Sequence, residues 1–154
     1  MSGLAGSRGR GDRFDVPIDE APPNEWEIWE RAVPRIEADL ASLANPPIRV
    51  VVVADEDDPD SAHLLVTHPE GFEIPLFVEI PGDGQGDELF IEVFDLLLDS
   101  ALFEDWREPW PRCPRHPGNG HSLRPSIVRG TASWVCPVDR TPIARVGLLS
   151  QAMR

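Results

Sequence analysis

Four side chains in residues 113–139 have the types and spacing that suit metal binding. Cys113 and His116 form a Cys-x-x-His pair, and Cys136 and Asp139 form a Cys-x-x-Asp pair. Thiolate sulfur, imidazole nitrogen and carboxylate oxygen are the donors that zinc takes in proteins. Nineteen residues separate His116 from Cys136, within the range of about 15–20 residues that separates paired zinc ligands at the two ends of a hairpin. The spacing therefore predicts one zinc ion held between two short turns.

A second histidine offers another choice of fourth ligand. His121 follows His116 with four residues between them, a reasonable spacing for two zinc-binding imidazoles. Neutral imidazole binds zinc better than a lone carboxylate, which favours His121 over Asp139. The predicted ligands are therefore Cys113, His116, His121 and Cys136, with Asp139 as the alternative to His121. Four protein ligands indicate a structural ion, because a catalytic zinc keeps an open position.

The segment that contains these residues resembles a zinc ribbon. Strand-like runs at 126–129 and 132–135 lie between the two pairs, joined by a glycine-containing turn. The resemblance covers about residues 110–148 and implies one Cys-x-x-His turn and one Cys-x-x-Asp turn on a β-hairpin. The segment is also similar to the C-terminal segments of uncharacterised small proteins from high-GC Gram-positive bacteria.

Two alternatives to bound zinc stay open on the sequence alone. A ribbon that has lost its metal can keep its shape through packing of Trp110, Trp134 and Ile143, with the cysteines as buried thiols. Cys113 and Cys136 can instead form a disulfide, although an intracellular location disfavours one.

Helical periodicity predicts two helices. Asn24 suits the N-cap of the first, with Glu27 three residues later, and apolar residues then recur at three- and four-residue spacing. Pro34 is expected to kink this helix or to divide it into 25–32 and 34–44. The second helix is predicted over residues 87–103.

Strand patterns fill the region between the helices. Residues 48–54 include four consecutive valines, which predicts a strand buried on both faces. Further strands are predicted at 63–67 and 72–80, joined by short turns as an antiparallel meander. A last strand at 143–148 belongs either to this sheet or to the ribbon. The fold class is therefore α+β: helix, three-stranded meander, helix, and a small C-terminal zinc-ribbon-like hairpin.

Charge divides the sequence into segments of opposite sign. The 154 residues carry a net charge of −13 and no lysine. Residues 1–105 have a net charge of −19 and residues 106–154 a net charge of +6. We therefore predict a disordered tail at 1–24, an acidic α+β domain at 25–105, and a basic ribbon-like segment at 106–154 packed on that domain.

The same features predict the function class. No apolar run approaches the length of about 20 residues that a membrane span needs, and no signal peptide opens the sequence, so a cytoplasmic location and no membrane partner are expected. No catalytic residue is predicted, since no nucleophile motif is present. The expected function is that of a non-catalytic binding or adaptor protein whose partner is another protein.

Two other functions are weighed against this one. The first is a regulator that binds nucleic acid through the ribbon, or that mimics nucleic acid through its acidic domain. The second is a small metal-dependent enzyme. For nucleic acid, Trp134 is expected to stack on a base, and the phosphates are expected to meet Arg112, Arg115, Arg124, Arg129, Arg140 and Arg145. For a protein partner, Trp106 and Trp110 are the expected anchors. The predicted contact surface is therefore made of Arg112, Arg115, Arg124, Arg129, Trp106 and Trp110.

Overall fold

The computed structural model describes residues 24–43, 47–100, 109–118 and 120–154. Two antiparallel sheets and three helices make up this part of the chain. They follow in the order α1 (Glu25–Leu40), β1 (Arg49–Ala54), β2 (Ala62–Thr67), β3 (Glu73–Leu76), α2 (Glu88–Leu98), β4 (Arg124–Val128), β5 (Thr131–Val135), β6 (Pro142–Arg145) and α3 (Leu149–Ala152). The predicted α+β class is confirmed. The predicted tail, apart from Asn24, lies outside the described residues.

Helix α1 begins at the predicted cap. The Asn24 side-chain oxygen accepts a hydrogen bond from the backbone N–H of Glu27 at 2.9 Å, which satisfies one of the free donors of the first turn. The helix runs through Pro34 without dividing, so the expected break at this residue is wrong. Pro34 is exposed, and its ring therefore displaces no core side chain. The buried face of the helix consists of Ile28, Trp29, Ala32, Ile36, Asp39 and Leu40.

The first sheet has the order β1-β2-β3, as the predicted meander requires. Its inner face is apolar, because Val50 lies opposite Val66 and Leu64 lies opposite Leu76. The expected burial of β1 on both faces is wrong: Val51 points to the other face and is 50% exposed. No helix of the described residues covers that outer face, so the run of valines is buried on one side only.

The second sheet has the order β4-β5-β6. The last strand of the sequence thus pairs with the ribbon and not with the first sheet, and the predicted hairpin becomes three strands. Trp134 of β5 is fully buried, and its ring meets that of Phe94 of α2 edge to face, with the centroids 4.7 Å apart. This aromatic contact seats the second sheet on helix α2.

One cluster of buried side chains joins both sheets and all three helices. The predicted boundary between residues 105 and 106 falls within 101–108, outside the described residues, and so do the last residues of the predicted second helix. The division into an acidic and a basic domain therefore stays a prediction. Within the described residues, no helix has the length and apolar character that crossing a bilayer requires.

Candidate metal centre

Three of the four ligand candidates, Cys113, His116 and His121, lie in a loop whose two ends pair with each other. Arg112 and Ser122 form an isolated antiparallel bridge, and the Leu123 N–H donates to the Pro111 carbonyl at 2.7 Å. Inside this bridge, the Cys113 N–H donates to the His121 carbonyl at 3.3 Å. The pairing places Cys113 beside His121, although seven residues lie between them in the sequence.

The second turn follows strand β5. Cys136 is the first residue after β5, and its carbonyl accepts the Arg140 N–H at 2.8 Å. The Cys136 N–H in turn donates to the Thr141 carbonyl at 2.9 Å, where β6 is about to begin. Arg140 has a φ of 61°, in the left-handed region, which lets the chain reverse within this short loop. The cysteine is thereby fixed at the end of a paired strand.

The two turns bring the side chains of Cys113, His116, His121 and Cys136 together, and we call these four residues the Cys/His cluster. Their donor atoms all lie within 4.8 Å of one another. His116 Nδ1 lies 3.6 Å from Cys113 Sγ and 3.4 Å from Cys136 Sγ. His121 Nε2 lies 3.5 Å from Cys136 Sγ. The cluster that the spacing predicts is thus assembled, and its donor set could hold a metal ion.

These distances match the dimensions of a tetrahedral site. With metal–sulfur and metal–nitrogen bonds of about 2.3 and 2.05 Å, a tetrahedron has sulfur–nitrogen edges of about 3.6 Å. Both cysteines are free thiols and buried, and the two histidines are half-buried. The cluster therefore needs little rearrangement to surround one ion.

Two effects act in opposite directions on the Cys136 thiol. Burial raises the pKa of Cys136 above its ordinary value. The backbone N–H groups of Asp139 and Val138 form hydrogen bonds to its sulfur and lower the pKa in part. Because these two amides stabilise the thiolate, the turn after β5 already supplies part of what a bound cation would need.

Asp139 lies beside the cluster and not within it. Its carboxylate accepts a hydrogen bond from Arg115 Nε at 2.9 Å and another from the Thr141 N–H at 2.9 Å. Hydrogen bonds from Thr141, and then from Arg115, hold the pKa of Asp139 well below its usual range. One carboxylate oxygen lies 3.9 Å from His116 Nε2, the ring nitrogen that faces away from the cysteines. At this distance the carboxylate forms no hydrogen bond with His116 and acts on the imidazole through its charge alone.

A buried carboxylate that the sequence analysis did not identify connects α1 to the ribbon. Asp39 accepts hydrogen bonds from Trp134 Nε1 at 2.8 Å and from the N–H groups of Gly147 at 2.8 Å and Leu149 at 2.9 Å. Burial raises the pKa of Asp39, although the three donors and Arg35 work against that shift. Its position on the apolar stripe of α1, between Ile36 and Leu40, was the signal in the sequence that could have identified it.

A second link joins α1, α2 and the ribbon. Arg35 donates through its two terminal nitrogens to the Asp87 carboxylate at 3.1 and 3.2 Å, and through Nε to the Val146 carbonyl at 3.2 Å. The other partner of Asp87 is the Ala132 N–H of β5, at 2.8 Å. Burial alone would raise the pKa of Asp87, but the hydrogen bonds from Arg35 and Ala132 outweigh it and the pKa is lowered. The ribbon that carries the cluster is thus held on the α+β core by two carboxylates.

The four arginines of the predicted contact surface are all exposed but differ in their contacts. Arg112 donates to the Pro117 carbonyl at 2.9 Å and Arg115 is paired with Asp139, whereas Arg124 and Arg129 form no side-chain hydrogen bond or ion pair with the described residues. Trp106 lies outside the described residues. The ring of Trp110 packs edge to face on that of Trp134, with the centroids 5.6 Å apart.

The expected stacking of Trp134 on a base is wrong. Its side chain is 0% exposed, and its indole N–H donates a hydrogen bond to Asp39.

Three comparisons, with family models, with curated proteins and with solved structures, give no match for this chain. The site is therefore interpreted from its own chemistry.

Proposed function

We propose that this chain is a non-catalytic binding protein whose C-terminal ribbon is organised by one structural zinc ion. The observation that carries the proposal is the Cys/His cluster, in which two sulfurs and two imidazole nitrogens converge within 4.8 Å. Two thiolates with two imidazoles form a donor set that binds zinc in preference to magnesium or calcium, because those two ions take oxygen ligands.

The donor count supports a structural and not a catalytic ion. Four protein donors complete a tetrahedral zinc site and leave no position for a water or a substrate. Cys113, His116 and His121 come from the loop before β4, and Cys136 from the end of β5. An ion bound by all four residues would hold the loop against the sheet, and its binding free energy would add to the stability of the ribbon.

The surface of the acidic part supports a protein contact. On the outer face of the first sheet, Val51 is 50% exposed and Phe77 is 69% exposed, and the exposed turn of residues 56–60 carries four acids at one end of this face. Exposed apolar side chains beside charged ones are typical of protein interaction sites. The acidic part and the basic ribbon are then two contact surfaces of one adaptor.

The test is the metal content of the untagged protein, measured by elemental mass spectrometry. We expect about one zinc per chain in the wild type and in His68→Ala, a control histidine outside the cluster. We expect Cys113→Ser and His121→Ala to lose it. A chelator should lower the thermal midpoint of the wild type and leave that of Cys113→Ser unchanged. A wild type without metal after refolding with zinc would overturn the proposal and leave a ribbon held by packing alone.

A further inference from the structure

One face of the second sheet is basic and bears hydroxyl groups. The strand register places Ser126, Ser133 and Arg145 in one row across β4, β5 and β6. The opposite face carries Trp134, which packs into the core. We define the basic face by its three exposed arginines, Arg124, Arg129 and Arg145, which accompany the half-buried hydroxyls of Ser126 and Thr131.

A groove crosses this face. It has a volume of about 300 Å³ and is lined on its polar side by Arg129, Thr131, Ser133 and Arg145. Within the described ranges, none of the three arginines of the basic face donates a hydrogen bond or forms an ion pair. Their guanidinium groups are therefore available for a ligand with negative charges.

The backbone of Arg129 has a conformation that costs free energy for a residue with a side chain. Arg129 and Gly130 form the two-residue turn between β4 and β5, with φ values of 51° and 78°. Such a turn needs positive φ at both positions, which asparagine and glycine adopt most easily. An arginine there costs about 1 kcal/mol or more that the turn itself does not require. The sequence thus keeps a cation at the tip of the hairpin where a less strained residue would fold better.

The nearby charges favour a polyanion as the ligand. Residues 109–154 hold seven arginines and a single acid, Asp139, which is already paired with Arg115. The nearest acids are Asp87, which is paired with Arg35 and also interacts electrostatically with Arg145, and Asp95 of α2, which interacts electrostatically with Arg124. The positive potential of the basic face therefore survives the negative charge of the whole chain locally.

The composition of the face distinguishes between polyanions. Pro142 and the half-buried Val128 and Ile143 also line the groove, and Trp134 is buried on the other side, so the face offers a protein partner only a small apolar area. Arginine forks and hydroxyls match phosphate oxygens, and no described residue of this face has an exposed ring that could stack on a base. We propose that the basic face binds the phosphate backbone of a nucleic acid without reading its sequence. This inference rests on the binding role proposed above and assigns a partner to one of its two surfaces.

The test is fluorescence anisotropy of labelled 24-base-pair duplexes with the zinc-loaded full chain, from 20 to 200 mM KCl. We expect duplexes of unrelated sequence to bind alike, with a slope of log K against log salt of about −3, for three phosphates contacted. Duplex RNA, duplex DNA and single-stranded DNA form separate arms, which show which form of the backbone is preferred. Polyglutamate is the competitor that represents an acidic protein, and we expect it to compete poorly.

Matched double variants locate the surface. Arg129→Gln/Arg145→Gln and Arg31→Gln/Arg49→Gln remove the same charge, the second pair from α1 and the first sheet. We expect the first pair to raise Kd about tenfold or more and to make the slope shallower by about 2, and the second pair to change Kd by less than threefold. The inference would be overturned by an equal loss of affinity in both double variants, or by polyglutamate competing as well as DNA does. The absence of binding at 20 mM KCl would also overturn it. Zinc content is measured on every sample, so a protein that binds zinc but no nucleic acid contradicts this inference alone.

Discussion

The indole N–H of Trp134 donates to the Asp39 carboxylate at 2.8 Å, although the two residues are 95 positions apart in the sequence. The same carboxylate also accepts the N–H groups of Gly147 and Leu149, which begin the segment after β6. One buried acid of α1 therefore fixes both the strand that ends at Cys136 and the turn that leads into α3. The position of the Cys/His cluster relative to the core depends on this acid.

Replacing Asp39 with alanine should destabilise the protein strongly. Three donors would be left without their acceptor in the interior, and each such loss costs about 1–3 kcal/mol. We expect the free energy of unfolding to fall by about 3 kcal/mol or more, measured by urea denaturation. Asp57→Ala, in the exposed acidic turn, is the control and should change it by less than about 0.5 kcal/mol. Equal effects of the two variants would contradict the role assigned to Asp39.

The two carboxylates that anchor the ribbon should respond to pH in opposite ways. The folded pKa of Asp87 is lowered, so its contribution is present above about pH 4 and is lost as the pH falls through the folded pKa. The folded pKa of Asp39 is raised, so wild-type stability falls as the pH rises from about 4 through that folded pKa. Relative to Asp87→Asn the wild type should therefore gain stability with rising pH, and relative to Asp39→Asn it should lose stability.

Urea unfolding of the three proteins between about pH 2 and 7 measures these differences, because the Asp87 contribution is lost below about pH 4. At pH 7 we expect Asp87→Asn to be less stable than the wild type by about 1–3 kcal/mol, because a charge-assisted contact with Arg35 is lost. Trends of the same sign for both variants would contradict the assigned shifts.

Gly147 should not tolerate a side chain. It has a φ of 97°, and a Cβ built on it would lie 3.1 Å from Cβ and Cγ of Arg35, in a helix that is already tied to the ribbon. We expect Gly147→Ala to lower the free energy of unfolding by about 1–3 kcal/mol through backbone strain and this close approach. Gly118→Ala is the matched control, since nothing lies within 4 Å of its Cβ position. A thermal melt that places both variants at the wild-type midpoint would disprove the prediction.

His121 and Asp139 are the two candidates for the fourth zinc ligand, and replacing each should reduce zinc affinity to a different extent. We expect Asp139→Asn to weaken zinc binding by less than about tenfold, because its carboxylate lies too far from His116 to accept a hydrogen bond from the imidazole. His121→Ala should weaken it further, because a donor is removed. Competition with a chromophoric chelator measures both constants. A larger loss in Asp139→Asn than in His121→Ala would make Asp139 the ligand.

Local patterns sufficed for α1, α2, the strands of the first sheet and the composition of the cluster, but they did not predict α3. The Asn24 cap, the apolar stripe of α2 and the alternation in β2 each reflect chemistry within a few residues, and each is present in the structure. The cluster followed from ligand type and spacing, because a hairpin of known length brings its two ends together.

Contacts between distant residues could not be predicted in the same way. The four valines of β1 gave no indication of which face would be covered, since that depends on how the helices pack. Pro34 was expected to kink or divide the helix, but α1 is continuous through it. The pairing of Arg35 with Asp87, 52 positions away, has no local signature.

The bond between Asp39 and the Leu149 N–H spans 110 positions of the sequence. During synthesis at about 5–20 residues per second, the segment that contains Leu149 would be added several seconds or more after α1. Until then the Asp39 carboxylate would lack its donors. Over that interval the Asp39 carboxyl and the apolar face around it would be exposed to solvent and to chaperones. Loop closure over such a distance also slows folding. A buried acid that stabilises the folded protein thus makes its nascent form dependent on a segment synthesised much later than α1.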